Sequence, residues 1–208
     1  MMITLQNAID WVDKLAAVYD QNKDYLTQLD SAIGDADHGI NMARGFAAAK
    51  TAIADKPPEN LAALCKTVSM TLIKTVGGAS GPLYGTLFMK MGPALGNGDS
   101  AGIDALAKAF ADGVEGIKKM GKSQGGEKTM LEAWLPALAS LDASAKDGSD
   151  DKKALDAAVA AAEQGMKDTI PMLATKGRAS YLGERSKGHQ DPGATSTFLM
   201  LKTLAESV

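Results

Sequence analysis

One cysteine is all the sequence has among its 208 residues. Cys65 has nothing to pair with in the chain, which excludes a disulfide framework, and its place in the apolar run LAALCKTVSM fits a buried, reduced thiol in a cytosolic protein. Histidine is almost as scarce, with two, and neither stands in a Cys/His cluster of the kind zinc prefers. Membrane-spanning apolar runs are missing. The N-terminal MMITLQNAIDWVDK shows no basic leader before a continuous apolar stretch, which sets the expectation of a cytoplasmic protein without a membrane partner. Excess positive charge is missing as well: 22 Lys and Arg face 25 Asp and Glu, for a formal net charge of -3. The cations are scattered rather than striped, which argues against direct nucleic-acid binding. An anionic ligand must then be held by metal, main-chain amides and a few placed cations. Sustained strand alternation and internal repeats are also absent.

What is present is helical spacing almost everywhere. Apolar residues recur at Leu5, Ile9, Val12, Leu15 and Val18, at Leu61, Leu64, Val68 and Leu72, and at Ile103, Leu106, Phe110, Val114 and Ile117. Thr4, Asn60 after Pro57-Pro58, Ser80 before Gly81-Pro82, and Ser100 are candidate helix starts. Helices are expected at about 4–20, 22–33, 39–54, 60–76, 82–92, 101–120, 128–141, 152–175 and 193–206. The expected class is all-α, one domain over residues 1–208 with a single core.

The connections fall into two sets that alternate along the chain. Those near 21, 55–59, 92–99 and 142–151 are polar and ordinary in residue choice. The others are dense in Gly, Asp, Ser, Arg and His: 34–39, 77–82, 121–128 and 176–193. If neighbouring helices run up and down, every second connection lies at the same end, so the rich loops converge on one rim. The polarity of loops in general accounts for Gly and Asp in them but not for the alternation.

The first rich loop sits in LDSAIGDADHGINMARG, where Asp30, Asp35 and Asp37 crowd around Gly34. Carboxylates set this close repel one another unless a hard divalent cation lies among them. The calcium-loop pattern fails because Asp35 and Asp37 are followed by Gly39 and Ile40 out of register. A carboxylate set without Cys or His favours Mg²⁺ or Mn²⁺, and Mg²⁺ commonly completes its shell with water and substrate phosphates. The competing assignment makes these acids helix caps and turn residues.

Other motifs divide. GIKKMGKS, 116–123, matches the P-loop expression, but Val114 and Ile117 continue a helical face before it and Gln124-Gly125-Gly126 follows, so a helix ending at Gly121 is expected in place of a phosphate cradle. GGASGPLYGT, 77–86, can bring main chain close to a ligand at Gly77-Gly78 and offer Ser80 and free helix-start amides to phosphate oxygens; a tight turn with a Ser cap is the alternative. His38 and His189 both fall in rich loops, where a hydrogen-bonded turn histidine is the commoner case. Three aspartates plus roughly three negative charges on ADP, less two Mg²⁺, leave a deficit of roughly two positive charges, which Arg178 can partly meet.

Taken together, LDSAIGDADHGINMARG, GGASGPLYGT, EKTM and GRASYLGERSKGHQDPGATS resemble the family of ADP-binding L subunits of bacterial dihydroxyacetone kinase, at similar spacing from Leu29 to Ser196. The resemblance implies an antiparallel up-and-down barrel of about eight helices with the nucleotide at one rim. It implies two Mg²⁺ on Asp30, Asp35 and Asp37, and contacts to ADP/ATP from His38, Gly39, Ile40, Asn41, Ala79, Ser80, Gly121, Thr129, Met130, Arg178, Asp191, Pro192 and Gly193. Glu127 departs from the family's usual Asp before Lys-Thr-Met. The implied activity is a phosphoryl relay from a phosphohistidine carrier M subunit of the phosphoenolpyruvate phosphotransferase system, through bound ADP, to dihydroxyacetone on a separate K subunit. Arg178 would stabilise the transferring charge. Alternatives are an ATP-dependent subunit for a related small ketose, or a nucleotide-loaded co-regulator that binds a transcription factor.

Overall fold

Thr4 starts the first helix by a reciprocal pair of bonds: its hydroxyl accepts from the Asn7 amide at 3.1 Å and the Asn7 side chain accepts from the Thr4 amide at 3.0 Å. Helix α1, Leu5–Gln21, is followed by α2 (Lys23–Ile33), α3 (His38–Asp55), α4 (Leu61–Thr75), α5 (Ser80–Leu95), α6 (Ile103–Gly121), α7 (Leu131–Asp147), α8 (Asp151–Asp168) and α9 (Pro192–Ala205). A 3-10 segment, Arg178–Ser186, precedes α9. This computed structural model describes residues 2–147 and 150–208; of the tract expected as a loop at 142–151, Gly148 and Ser149 lie outside the described residues.

The fold is all-α. Among the described residues, eight helices close a ring in the order α1, α3, α4, α5, α6, α7, α8, α9 and back to α1, each antiparallel to its neighbours. The seam between α1 and α9 is fastened by Trp11 Nε1 donating to the Met200 carbonyl at 3.1 Å and Tyr19 Oη donating to the Ser196 carbonyl at 2.8 Å. Inside, Tyr19, Phe46, Phe88 and Trp11 form a chain of rings from α1 through α3 to α5, with centroids 4.8, 6.2 and 5.7 Å apart, while Phe110 and Trp134 join α6 to α7 at 5.1 Å. Such tilted and edge-on pairs add to what the buried area itself contributes.

Helix α2 leaves the ring. It packs on α3, α9 and the 3-10 segment, and scarcely on α1. The connection near residue 21, expected at the ordinary end, therefore lies at the rich end: Asn22 serves both helices with its amide bonded back to Val18. Gly39, at the start of α3, faces the beginning of α2, where an added Cβ would lie 2.0 Å from the Lys23 carbonyl oxygen.

Three other expectations shift for local reasons. Residues 2–4 and 100–102 form two short antiparallel strands, β1 (Met2–Thr4) and β2 (Ser100–Gly102), too brief to show alternation in sequence. The tract 142–147 continues α7, and Asp150 caps α8 by accepting from the Lys152 and Lys153 amides. Helix α8 stops at Asp168 rather than 175 because Pro171 disfavours helix at Ile170 and the Thr169 hydroxyl bonds the Met166 carbonyl at 2.6 Å. Among the described residues, no helix is long and apolar enough to cross a membrane.

Candidate nucleotide and metal site

Asp30 sits on the last turns of α2 and is buried; one of its oxygens, Oδ2, accepts the amides of Asp37 at 2.9 Å and His38 at 3.1 Å, folding the loop back onto the helix. The reversal is made by Ala36 at φ 62° and by Gly34, where a Cβ would lie 2.0 Å from Asp30 Oδ1. One oxygen each from Asp30, Asp35 and Asp37 lies within 4.8 Å of the others. Asp37 holds the cap position of α3 but makes no side-chain capping bond, so the cap assignment does not account for it. Arg178 reaches across from the 3-10 segment with Nη2 3.0 Å from Asp35 Oδ2. The Arg178 side chain is 66% exposed, so water screens it and the pair offsets little of the repulsion.

Behind the acids stands a buried polar chain. His38 meets Ser80 Oγ through Nδ1 at 3.1 Å and Ser196 Oγ through Nε2 at 2.8 Å. Ser196 Oγ also lies 2.7 Å from Tyr84 Oη and donates to the Pro192 carbonyl at 3.0 Å. With that donation made, Ser196 can accept from His38 Nε2–H, and in a neutral ring Nδ1 then accepts the Ser80 hydroxyl. Burial holds the histidine below its ordinary pKa against the upward pull of Asp30, Asp37 and Asp35. A neutral ring, which this favours, satisfies both hydrogen bonds.

A cavity of about 270 Å³ opens beside these groups, walled by all four rich loops. The starts of α3, α5 and α9 contribute His38, Ala79, Ser80, Pro192 and Gly193, so several helix N-termini, with their free amides and positive dipole ends, face one space. Leu83, Ile117, Met130 and Ala179 give it an apolar side. Asp30, Asp35, Asp37, Gly121, Thr129, Arg178 and Asp191 also line it. Gly39, Ile40 and Asn41 are absent from the wall: Gly39 is spent on packing, Ile40 is exposed, and Asn41 is buried with its oxygen bonded to Arg44. Lys122 ends α6 in the left-handed conformation at φ 49°, and GIKKMGKS is helix end, as its context implies.

The start of α7 and the chain before α9 contribute further buried groups, of which Glu132 and Lys128 had been given no role by the motifs. Glu132 accepts the amides of Gly126 at 2.6 Å and Glu127 at 3.2 Å, and that of Thr129. Lys128 is 1% exposed, and its ammonium donates to the carbonyls of Ser186 at 2.7 Å, His189 at 2.6 Å, Met172 at 3.2 Å and Ile170 at 3.5 Å. Asp191 caps α9 by accepting the Ala194 amide at 2.7 Å. Burial, with Glu132 nearby, pushes its carboxyl up to about 7 against the Lys128 charge and the helix-start amides. Ser123 and Gln124 fold onto Glu127, which also lies 3.9 Å from Lys176. The sequence signal for Tyr84, Lys128 and Ser196 was only their place inside GGASGPLYGT, EKTM and GRASYLGERSKGHQDPGATS; Thr169 had none beyond residue type.

Residues 32–206 match the DAK2 domain. The chain is 43% identical over 208 residues to the ADP-binding subunit DhaL of PEP-dependent dihydroxyacetone kinase from Escherichia coli K12, covering 99% of this chain and 98% of that one. It is 48% identical over 202 residues to the corresponding subunit of PEP-dependent dihydroxyacetone kinase 1 of Listeria innocua, covering 96% and 95%. The crystal structure of the dihydroxyacetone kinase from C. freundii with AMP-PNP and Mg²⁺ superposes with a TM-score of 0.71 at 30% identity, over 96% of this chain and 33% of that one. The present chain thus spans about a third of the C. freundii kinase.

Proposed function

The chain belongs to the DAK2 domain family, and on that premise we propose that it is the ADP-binding subunit of a phosphoenolpyruvate-dependent dihydroxyacetone kinase. In this reading it works in the cytoplasm, relaying a phosphoryl group from a phosphohistidine carrier M subunit to dihydroxyacetone bound on a K subunit. One observation carries the assignment to this chain's own residues: three aspartate oxygens within 4.8 Å of one another at a cavity faced by several helix N-termini.

The donor set fits Mg²⁺, being hard oxygen ligands on a reversed loop with no sulfur or imidazole among them. Asp30, Asp35 and Asp37 would hold two Mg²⁺, which with ADP/ATP supply charge neutralisation and the transferable phosphoryl group. The chain's own contribution is placement. The Asp37 and His38 amides aim Asp30, and the neutral His38 ring fixes the Ser80 hydroxyl at the start of α5. Ala79 and Ser80 present helix-start amides suited to phosphate oxygens, with Pro192 and Gly193 facing them from the start of α9, while Gly121, Thr129 and Met130, beside Leu83 and Ile117, suit a flat base. Asp191 keeps α9 capped at that wall. Arg178, beside Asp35, brings a cation to where negative charge spreads during transfer. No protein nucleophile is needed.

Native mass spectrometry of the freshly purified protein should show retained ADP with two magnesium ions. Asp35→Asn and Asp37→Asn should each lower phosphoenolpyruvate-driven formation of dihydroxyacetone phosphate, assayed with K and M subunits, by roughly 100-fold or more while the helical core stays folded. A protein purified empty that turns over only with free ATP would overturn the relay. Variants that unfold even with saturating nucleotide would return the acids to a capping role.

A further inference from the structure

Between α8 and α9 the chain makes its longest excursion outside an α-helix, and Arg178 rides on it. The neck of that excursion is closed by main-chain and serine contacts: the Gly188 amide donates to the Ile170 carbonyl at 2.8 Å and the Ala174 amide to Ser186 Oγ at 2.9 Å. At the centre of the neck is the Lys128 ammonium, whose four acceptors are main-chain carbonyls, Ile170 and Met172 from one foot and Ser186 and His189 from the other. A ring of carbonyl oxygens around a buried positive charge is how proteins hold monovalent cations. Lys128 also sits at φ 61°, a conformation that favours glycine.

We propose that Lys128 is a positioning residue for Arg178: its ammonium, gripping both feet of the 170–189 excursion, does the work of a bound monovalent cation and sets the guanidinium beside Asp35. The inference rests on the reading of the cavity as a nucleotide site. Ions at the neck draw together two stretches whose closure otherwise costs chain entropy, and an opened neck releases Arg178 without touching the aspartates.

Lys128→Gly tests this, since glycine accepts the backbone conformation and only the side chain is lost. Without nucleotide, amide exchange over 170–191 should quicken by roughly tenfold or more, as expected when charge-assisted bonds are lost, with 96–102 unchanged. Added n-butylammonium chloride should slow it again, whereas tetramethylammonium chloride at equal ionic strength should not. Lys128→Met keeps the stem and lacks the charge; it should exchange fast and ignore the amine. In the same variants the dissociation constant for Mg–ADP should rise by roughly tenfold and, for Lys128→Gly alone, recover with n-butylammonium. Exchange in Lys128→Gly like that of the wild type, or fast exchange that no amine restores, overturns the proposal. So does failure of both variants to fold, which would make Lys128 a core residue. Wild-type protein that does not bind Mg–ADP would instead sink the nucleotide reading, leaving the exchange arm to judge Lys128 by itself.

Discussion

The two ends of the helical ring are built on opposite terms. At one end β1 pairs with β2, Leu5 donates to the Asp99 carbonyl at 2.6 Å, and Leu61 and Ala62 donate to Gly98 and Gly96 at 3.1 Å each. Asn60 caps α4 through the Ala63 amide at 2.8 Å. Main chain there is satisfied by main chain and ordinary caps, which is how loops become stable. At the other end lie all of the buried charged side chains among the described residues, Asp30, Lys128, Glu132 and Asp191, together with the buried His38. The non-glycine residues in left-handed conformation, Ala36, Lys122 and Lys128, are there too. Buried charge and backbone strain each cost stability, and a structure keeps them where a ligand repays the cost. The contrast teaches that the fold's stability is secured at the strand end and its chemistry is held at the loop end.

Removing metal should break the symmetry of the two ends most visibly. EDTA added to the ADP-loaded protein should lower its melting temperature by roughly 10 °C, from about 4 kcal/mol of ligand stabilisation at thousandfold excess and about 2–4 °C per kcal/mol for a chain of this size. Hydrogen exchange should quicken at 34–41, 77–81, 121–130 and 177–193 and stay as it was at 57–60 and 96–102. A uniform response would mean that the ends are not energetically separate, and no response would remove the metal from the argument.

A pH series sharpens the same contrast at one residue. Asp191 has its folded pKa raised to about 7 from an ordinary 3.8, so the folded state holds the proton longer than the unfolded one. Its contribution is fully present below about pH 4 and is lost as pH rises toward 7. Asp191→Asn can still cap α9 and does not titrate there. Chemical denaturation of the ligand-free proteins should therefore show the wild type losing stability relative to the variant across that window. About three pH units bound the change at about 4 kcal/mol. A gap between the two proteins that is flat from pH 4 to 7 would show that Asp191 is ionised in the fold throughout.

The smallest effect is expected from the false P-loop. Lys122 ends α6 rather than opening a helix toward phosphate, so Lys122→Ala should keep kinase activity within about twofold. A loss like that of an aspartate variant would show that this helix end serves phosphate after all.

Much of this was legible in the chain itself. Helical spacing located every ring helix to within a few residues except the far end of α7, which runs on to Asp147, and the overlong α8, because side chains three and four apart answer to one local geometry. The acids around Gly34 raised the expectation of a metal, and their oxygens do lie within 4.8 Å of one another, because carboxylates so close in sequence cannot separate far in space. The alternation of rich and ordinary connections brought four loops to one cavity, since antiparallel neighbours leave little choice. Packing decided the remainder. Helix α2 left the ring to lie across the rim, His38 found Ser196 and Tyr84, Gly39 went to helix contact instead of the cavity, and Lys128 found carbonyls beyond α8. Those partners lie tens to well over a hundred positions apart, and their meeting depends on how the ring closes, a global balance of shape and burial that no local pattern encodes.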